Sequence, residues 1–140
     1  MRKAALVTGL VAAAAAFTWA NAATVAYKSN LAGTAEVPPV QSAGKGTAAV
    51  NVDTASKQLS WRVEYSGLSG PATAAHIHCG AAAGANAGVS VPLGNAAASP
   101  ITGSGAMTDA QLADLQGGKC YVNIHTDANK GGEIRGQLAP

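Results

Sequence analysis

Much of the chain alternates hydrophobic and polar residues with a period of two, which is the pattern of half-buried β-strands. The clearest case is residues 58–68, where Leu59, Trp61, Val63 and Tyr65 fall on one face and polar residues on the other. One face is therefore predicted to line the core and the other to meet solvent. With turn residues as boundaries, further strands are predicted over 24–31, 46–53, 72–79, 89–93, 100–107, 119–126 and 133–138.

One segment has a helical signature. Thr108 and Gln111 have capping-box spacing, and the glycine pair 117–118 supplies a stop, which predicts a short helix over 108–116. Residues 80–88 contain only Ala, Gly and Asn and are predicted to form a loop. Short strands, glycine-rich turns and one helix together predict an all-β fold, an antiparallel Greek-key-like β-sandwich with one short helix.

The N-terminus has the pattern of a cleaved leader. Arg2 and Lys3 precede an apolar run that ends at a small-x-small cleavage site, Ala20-Asn21-Ala22. The run is short for a bilayer span, which needs about 20 apolar residues. Residues 1–22 are therefore predicted to be a signal peptide and residues 23–140 a single exported domain, periplasmic or secreted.

Charge excludes two classes of partner. The chain has nine Lys and Arg against seven Asp and Glu, and two of the nine basic residues lie in the predicted leader, which leaves a mature net charge of zero. Without a basic cluster the domain has no electrostatic footprint for nucleic acid or an anionic membrane, so neither is a predicted partner, and no membrane insertion is expected after cleavage. Few aromatic residues remain, so a covalent or metal crosslink would help such a core.

Three histidines lie in two predicted strands. His76 and His78 are two residues apart and so project from one face, and parity places His125 on the corresponding face of strand 119–126. Three neutral imidazoles on a rigid sheet suit Cu(II) or Zn(II), and the Irving–Williams order favours copper. The sequence therefore predicts a metal site, copper before zinc, on the outer face of the sheet under the loop 80–88.

The predicted site leaves one or two coordination positions open, for water, a small ligand or a carboxylate such as Asp127 or Glu133. Glu133 and Arg135 point one way in the strand pattern and could instead orient the hairpin or support His125. The alternative is that the three histidines are ordinary polar residues that hydrogen-bond loop backbone. His-x-His alone is a weak signal, and the third His at matching parity strengthens it.

The two cysteines have the opposite parity to the histidines and face the core. An even pair in an exported chain usually forms a disulfide, so a Cys79–Cys120 bridge is predicted, contributing about 2 to 4 kcal/mol. The competing interpretation, thiolate ligands beside the histidines, needs a bulge that turns Cys79 to the other face. No nucleophile elbow, phosphate loop or zinc-protease helix is present in the sequence, and the domain is predicted to be non-enzymatic.

Four segments resemble the CHRD domain, a family first named from chordin. They are LAGTAEVPPV at 31–40, GLSGPATAAHIH at 67–78, YVNIHT at 121–126 and GEIRGQL at 132–138. The resemblance implies an extracytoplasmic β-sandwich with no generally established activity. It also implies that His76, His78 and His125 occupy the family's two histidine motifs, whereas Cys79 and Cys120 lie outside its motifs.

A more distant similarity is to copper-zinc superoxide dismutase, whose Greek-key sandwich also carries a His-x-His strand and a Gly-rich segment followed by an Arg near the C-terminus. His76, His78 and Arg135 resemble those parts. That enzyme's copper centre uses four histidines, whereas this chain has three in total. The count argues against dismutase chemistry and leaves a mononuclear copper site open.

These features together predict an exported CHRD-type domain that binds a transition metal for storage, buffering or delivery. The first alternative is a metal-free extracytoplasmic module for adhesion or binding of a protein partner. The second is a copper redox enzyme.

Overall fold

The computed structural model describes residues 23–140, so the predicted leader lies outside the described residues. Eight strands and one α-helix are present in this part of the chain. The strands are β1 Thr24–Ala32, β2 Lys45–Asp53, β3 Gln58–Ser66, β4 Ala72–Cys79, β5 Val89–Pro92, β6 Ile101–Ala106, β7 Cys120–Thr126 and β8 Ile134–Gln137, and the helix is α1 Asp109–Gln116. The predicted all-β class with one short helix is confirmed, and the predicted strand ends lie within two residues of the observed ones.

All strand pairs are antiparallel, in the order β5-β4-β7-β8-β1-β2-β3-β6. β1 and β8 meet through one registered pair, Ala32 with Arg135, and through an isolated bridge between Lys28 and Ala139. The sheet therefore divides into two four-stranded halves joined at this corner. The halves form a sandwich-like arrangement, with the core between them.

The core is built from the alternating faces that the sequence pattern predicts. Its fully buried aliphatic side chains include Val50, Val52 and Val63 from one half and Ile77, Val122 and Ile124 from the other. Burial of each such side chain contributes about 1.5 to 3 kcal/mol. Trp61 closes the core across the two halves, because its indole N–H donates to the carbonyl oxygen of Leu93, which follows β5, at 3.2 Å.

Small residues in β6 make room for the Trp61 ring. A Cβ on Gly103 would lie 2.6 Å from Cζ2 of Trp61, and one on Gly105 would lie 3.4 Å from Cη2. The ring thus occupies the space that side chains on β6 would fill. This accounts for a strand rich in glycine, a residue that is otherwise unfavourable in strand interiors.

The predicted disulfide is confirmed. Cys79 ends β4 and Cys120 begins β7, the two residues are partners in the β4–β7 ladder, and their side chains are bonded with the Cα atoms 4.1 Å apart. Neither sulfur is therefore available as a thiolate, which overturns the alternative of cysteine ligands beside the histidines. The bridge joins positions 41 residues apart and closes a long loop of the unfolded chain.

The helix begins as predicted. Thr108 Oγ1 accepts a hydrogen bond from the Gln111 backbone N–H at 3.2 Å, and Gln111 Oε1 accepts one from the Thr108 N–H at 3.0 Å. Leu112 and Leu115 are its buried residues. None of the helical structure in residues 23–140 combines the length and apolar character needed to cross a membrane.

Candidate metal centre

The three histidines converge on one face of the β4–β7 pair. His76 and His78 lie on β4 opposite Asn123 and Tyr121, and His125 lies on β7 opposite Ala74. One ring nitrogen from each histidine lies within 4.8 Å of the other two. The cluster that strand parity predicts is therefore present.

His76 and His125 form the closest pair in the cluster. Nδ1 of His76 lies 3.1 Å from Nε2 of His125. At this distance the two rings form a hydrogen bond, in which Nδ1–H of His76 donates to Nε2 of His125. Two nitrogens that each lie about 2.0 to 2.1 Å from one metal ion are also about 3 Å apart, so an ion could replace the shared proton with little movement of the rings. Nδ1 of His125 donates to the Lys130 carbonyl oxygen at 2.9 Å, which fixes its tautomer and leaves the Nε2 lone pair facing His76.

His78 is held by contacts on every side. Its Nδ1 donates to the Ala87 carbonyl oxygen at 2.9 Å, and its Nε2 lies 3.0 Å from Oδ1 of Asn123. The ring stacks on Tyr121, with centroids 4.7 Å apart and planes 4° from parallel. The orientation of the imidazole is thus set by the loop 80–88 and by β7 together.

The prediction that this face is the outer, solvent side of the sheet needs correction. His78, Tyr121 and Asn123 are buried. The predicted cover by loop 80–88 is present at Ala87. Glu36 adds a second cover beside Asn123 that strand parity cannot indicate, because Glu36 comes from a distant part of the sequence. Strand parity predicts which side chains share a face of the sheet. Whether that face is exposed to solvent depends on which distant segments pack against it.

The surroundings favour the neutral form of two histidines. Burial lowers the pKa of His76, and the neighbouring His125 and His78 lower it further. Burial also lowers the pKa of His125, whereas the hydrogen bond to the Lys130 carbonyl raises it by a smaller amount. Because a metal binds the neutral imidazole, these shifts keep the two rings in the ligand form to lower pH than a free histidine.

The two carboxylates predicted as extra ligands lie outside the cluster of ligand atoms. Asp127 is exposed, and Glu133 is fully buried. The Glu133 carboxylate accepts hydrogen bonds from the hydroxyls of Ser42, Ser69 and Thr126, from the Ser69 N–H and from the Asn129 amide, at 2.6 to 3.2 Å. Burial alone would raise the pKa of Glu133, but bonds from Ser69, Thr126 and Ser42 outweigh it and lower the pKa to about 2. Glu133 therefore holds the start of β8 to two remote segments.

Arg135 points away from Glu133 and toward the loop. Its Cζ atom lies 3.4 Å from the centroid of the Tyr121 ring. Its Nη1 donates to Oδ1 of Asn86 at 2.9 Å, and its Nη2 donates to the Ala85 carbonyl oxygen at 2.7 Å. The guanidinium thus fastens loop 80–88 over β7, behind the ring on which His78 stacks.

Glu36 is a buried polar residue of this face that the sequence patterns did not single out. Its side chain is 5% exposed, and Oε1 has no hydrogen-bond partner among residues 23–140. Burial raises the pKa of Glu36 to about 7. The positive charge of Arg135 and a hydrogen bond from the Asn123 side chain lower this pKa by a smaller amount. A side chain at Gly132, where φ is +127°, would clash with this carboxylate. The sequence feature that could have identified Glu36 was its position in the segment LAGTAEVPPV, one of the four segments that resemble the CHRD domain.

The fold and the site together define an antiparallel β-domain with one disulfide and a three-histidine cluster. The family model for the CHRD domain matches residues 27–138. The chain belongs to the CHRD domain family. Neither the curated proteins nor the solved structures contain a match, so the similarity to copper-zinc superoxide dismutase has no support.

Proposed function

We propose that this protein is an exported CHRD-domain protein that binds one transition-metal ion through His76, His78 and His125. Copper is the first expectation and zinc the second, and the function is storage, buffering or delivery of the ion without catalysis. The observation that carries the proposal is the convergence of three ring nitrogens within 4.8 Å.

The hydrogen bonds of the imidazoles support metal binding. His78 and His125 each donate Nδ1–H to a backbone carbonyl oxygen, at 2.9 Å in both cases. Metal-binding histidines are usually held in this way, because the bond fixes the tautomer and makes the other nitrogen more basic. In both residues the nitrogen left for a metal is Nε2.

One existing contact must change when a metal binds. With Nδ1–H of His78 donated to Ala87, the Nε2 lone pair of the neutral ring faces another acceptor, Oδ1 of Asn123, at 3.0 Å, so an ion at Nε2 would replace an unfavourable contact. Three nitrogen ligands leave at least one position open on copper or zinc. An open position suits exchange of the ion with another carrier, because an incoming ligand can bind before a histidine leaves.

The disulfide supports export. Disulfides persist in oxidising compartments such as the periplasm and the extracellular space, and the Cys79–Cys120 bridge closes a domain of small aliphatic side chains.

The test is isothermal titration calorimetry, in which the purified protein is titrated with Cu(II) and, separately, with Zn(II). His76→Ala, His78→Ala and His125→Ala should each weaken binding at least about tenfold, since each removes a ligand. Asp127→Asn is the matched control and should leave affinity unchanged, because Asp127 is exposed and lies outside the cluster. Absence of sub-millimolar Cu(II) and Zn(II) binding by the unsubstituted protein would reject the proposal in favour of a metal-free interaction module.

A further inference from the structure

A cavity of about 380 Å³ lies between residues 34–39 and the loop 80–88. Its lining includes Arg135 and Gln137 of β8, which are the ladder partners of Asn123 and Tyr121 on β7. The volume is in the range of small-molecule pockets. Two larger cavities, of about 530 and 440 Å³, are lined by charged side chains that are exposed to solvent, so they lack the buried charges that distinguish this one.

Two buried residues of opposite charge line the cavity without forming an ion pair. Arg135 is 1% exposed and Glu36 is 5% exposed. The ion pairs among residues 23–140 join other residues, Lys57 with Asp109 and Arg62 with Glu64. The charges of Arg135 and Glu36 do interact, since Arg135 lowers the pKa of Glu36, but no direct ion pair joins them. Because a buried charge is costly unless it is directly paired, a ligand between the two groups could supply a direct partner to each.

The hydrogen-bonding capacity of Arg135 is partly unused. Two of the five guanidinium N–H groups donate to neutral oxygens, Oδ1 of Asn86 and the carbonyl of Ala85. Neither acceptor carries a charge. A carboxylate in the cavity would be the anion that this cation lacks, and guanidinium and carboxylate groups match in geometry.

The unsatisfied acceptors converge on the same cavity. Within residues 23–140, the buried side-chain oxygens without a donor are Oε1 of Glu36 and Oε1 of Gln137, and both residues line it. The Gln137 amide orientation is set by its Nε2, which donates to the carbonyls of Ala81 and Gly118 at 2.9 Å. Buried acceptors are normally satisfied, so these two oxygens call for a hydrogen-bond donor, and a rotation of the Glu36 carboxyl group would bring its Oε1 within reach of one.

The walls of the cavity are held in place and are apolar. The Asn86 side chain spans both sides, because its Nδ2 donates to the Val37 carbonyl at 2.9 Å and its Oδ1 accepts from Arg135 at 2.9 Å. The remaining lining includes Ala35, Val37 and Ala83, whose side chains are small. A short aliphatic group would fit against them.

We propose that this cavity binds a free amino acid with a small aliphatic side chain, as its zwitterion. The carboxylate binds Arg135, the ammonium group donates to Glu36 and Gln137, and the side chain packs on the apolar wall. A ligand with one charge alone would pair with one buried group and be repelled by the other. This site is separate from the histidine nitrogens, and its binding does not depend on a metal.

The experiment is isothermal titration of the metal-free protein with L-alanine and L-valine, in EDTA at pH 8, which lies above the pKa of Glu36 of about 7 and keeps its carboxyl group mostly ionised. Acetate and ethylamine serve as the two halves of the ligand. The amino acids should bind, and each half-ligand should bind at least about tenfold more weakly, because it leaves one buried charge unpaired. Absence of amino-acid binding at millimolar concentration, or equal binding of acetate or ethylamine, would overturn the proposal.

Loop variants locate the site without disturbing the core. Ala83→Trp should fill the cavity and abolish alanine binding, and Ala82→Trp is the matched control, since both residues are exposed and Ala83 lines the cavity. Glu36→Gln should weaken alanine binding while leaving acetate binding equal or stronger, which a general loss of structure would not produce. Alanine binding that survives Ala83→Trp would place the ligand elsewhere and overturn the assignment.

Discussion

Glu133 and Glu36 are both buried carboxyl groups, but they differ in the hydrogen bonds that they accept and in the direction in which their pKa is shifted. Glu133 is 0% exposed and accepts five hydrogen bonds, whereas Glu36 is 5% exposed and its Oε1 accepts none from the described chain. The pKa of Glu133 is lowered to about 2 and that of Glu36 is raised to about 7. A satisfied charge stabilises the fold, and an unsatisfied one costs stability that binding can recover.

The two regions also differ in what surrounds them. The Glu133 cluster ties the β7–β8 hairpin to Ser42 and Ser69, and every partner is a short polar side chain or a backbone N–H. Glu36 lies beside a histidine cluster and a cavity. The first region therefore stabilises the fold, whereas the second contains the two sites that we propose for binding.

The largest effect is expected from Glu133→Ala. The substitution leaves buried hydroxyl, amide and N–H donors without their acceptor, and the free energy of unfolding should fall by about 3 to 5 kcal/mol. Urea denaturation measures this, with Glu64→Ala as control, since Glu64 is exposed. A loss no larger than that of the control would show that the cluster does not support the fold.

The free energy of unfolding should also depend on pH through Glu133. Because the folded pKa of Glu133 is below its ordinary value of 4.5, its stabilisation is present above pH 4.5 and is lost as the pH falls toward 2. In Glu133→Gln this acid-side loss should be absent from the stability profile. A profile parallel to that of the parent protein would contradict the assignment.

Gly132→Ala should give the next largest loss of stability, because the new side chain would disturb the surroundings of Glu36. The new Cβ would clash with the Glu36 carboxylate and lie 2.6 Å from Nδ2 of Asn123, at a φ of +127° that L side chains rarely adopt. We expect a loss of about 2 to 3 kcal/mol in thermal or urea unfolding. Gly131→Ala is the control, because its Cβ would meet no atom within 4 Å. Similar losses in both variants would argue against a specific clash.

Glu36→Gln should stabilise the protein. Because the folded pKa is raised from 4.5 to about 7, the carboxyl favours folding below pH 4.5 and that advantage is lost as the pH rises through 7. At pH 8 the amide variant should gain on the order of 1 to 2 kcal/mol, shrinking toward zero in acid. Unfolding at several pH values, beside Glu64→Gln, measures the difference. A destabilised variant at pH 8 would mean that Glu36 is paired after all.

The smallest effect concerns metal affinity and pH. The lowered pKa of His76 and of His125 should limit the loss of Cu(II) affinity to less than about threefold between pH 7.5 and 6.5, whereas three free histidines of pKa about 6.5 would lose about sixfold. Competition titrations at fixed ionic strength would measure the slope. A loss of about sixfold or more over this range would show that protons compete as they do at free histidines.

The sequence alone determined the strands and which side chains share a face, because both follow from a period of two. Residues two apart share a face, so His76 and His78 had to lie together, and Cys79 had to point the other way. Pairing of β4 with β7 then brought in His125 and Cys120 at matching parity.

Only the tertiary structure decided which faces are covered and which carboxyl groups are satisfied. Ser42 and Glu133 are 91 positions apart, and Asn86 reaches both Val37 and Arg135, each 49 positions away. No local pattern specifies such contacts, since they depend on how loops fold over a finished sheet. For the same reason the sequence could place Glu133 near the histidine strand and could not show that its oxygens are already occupied.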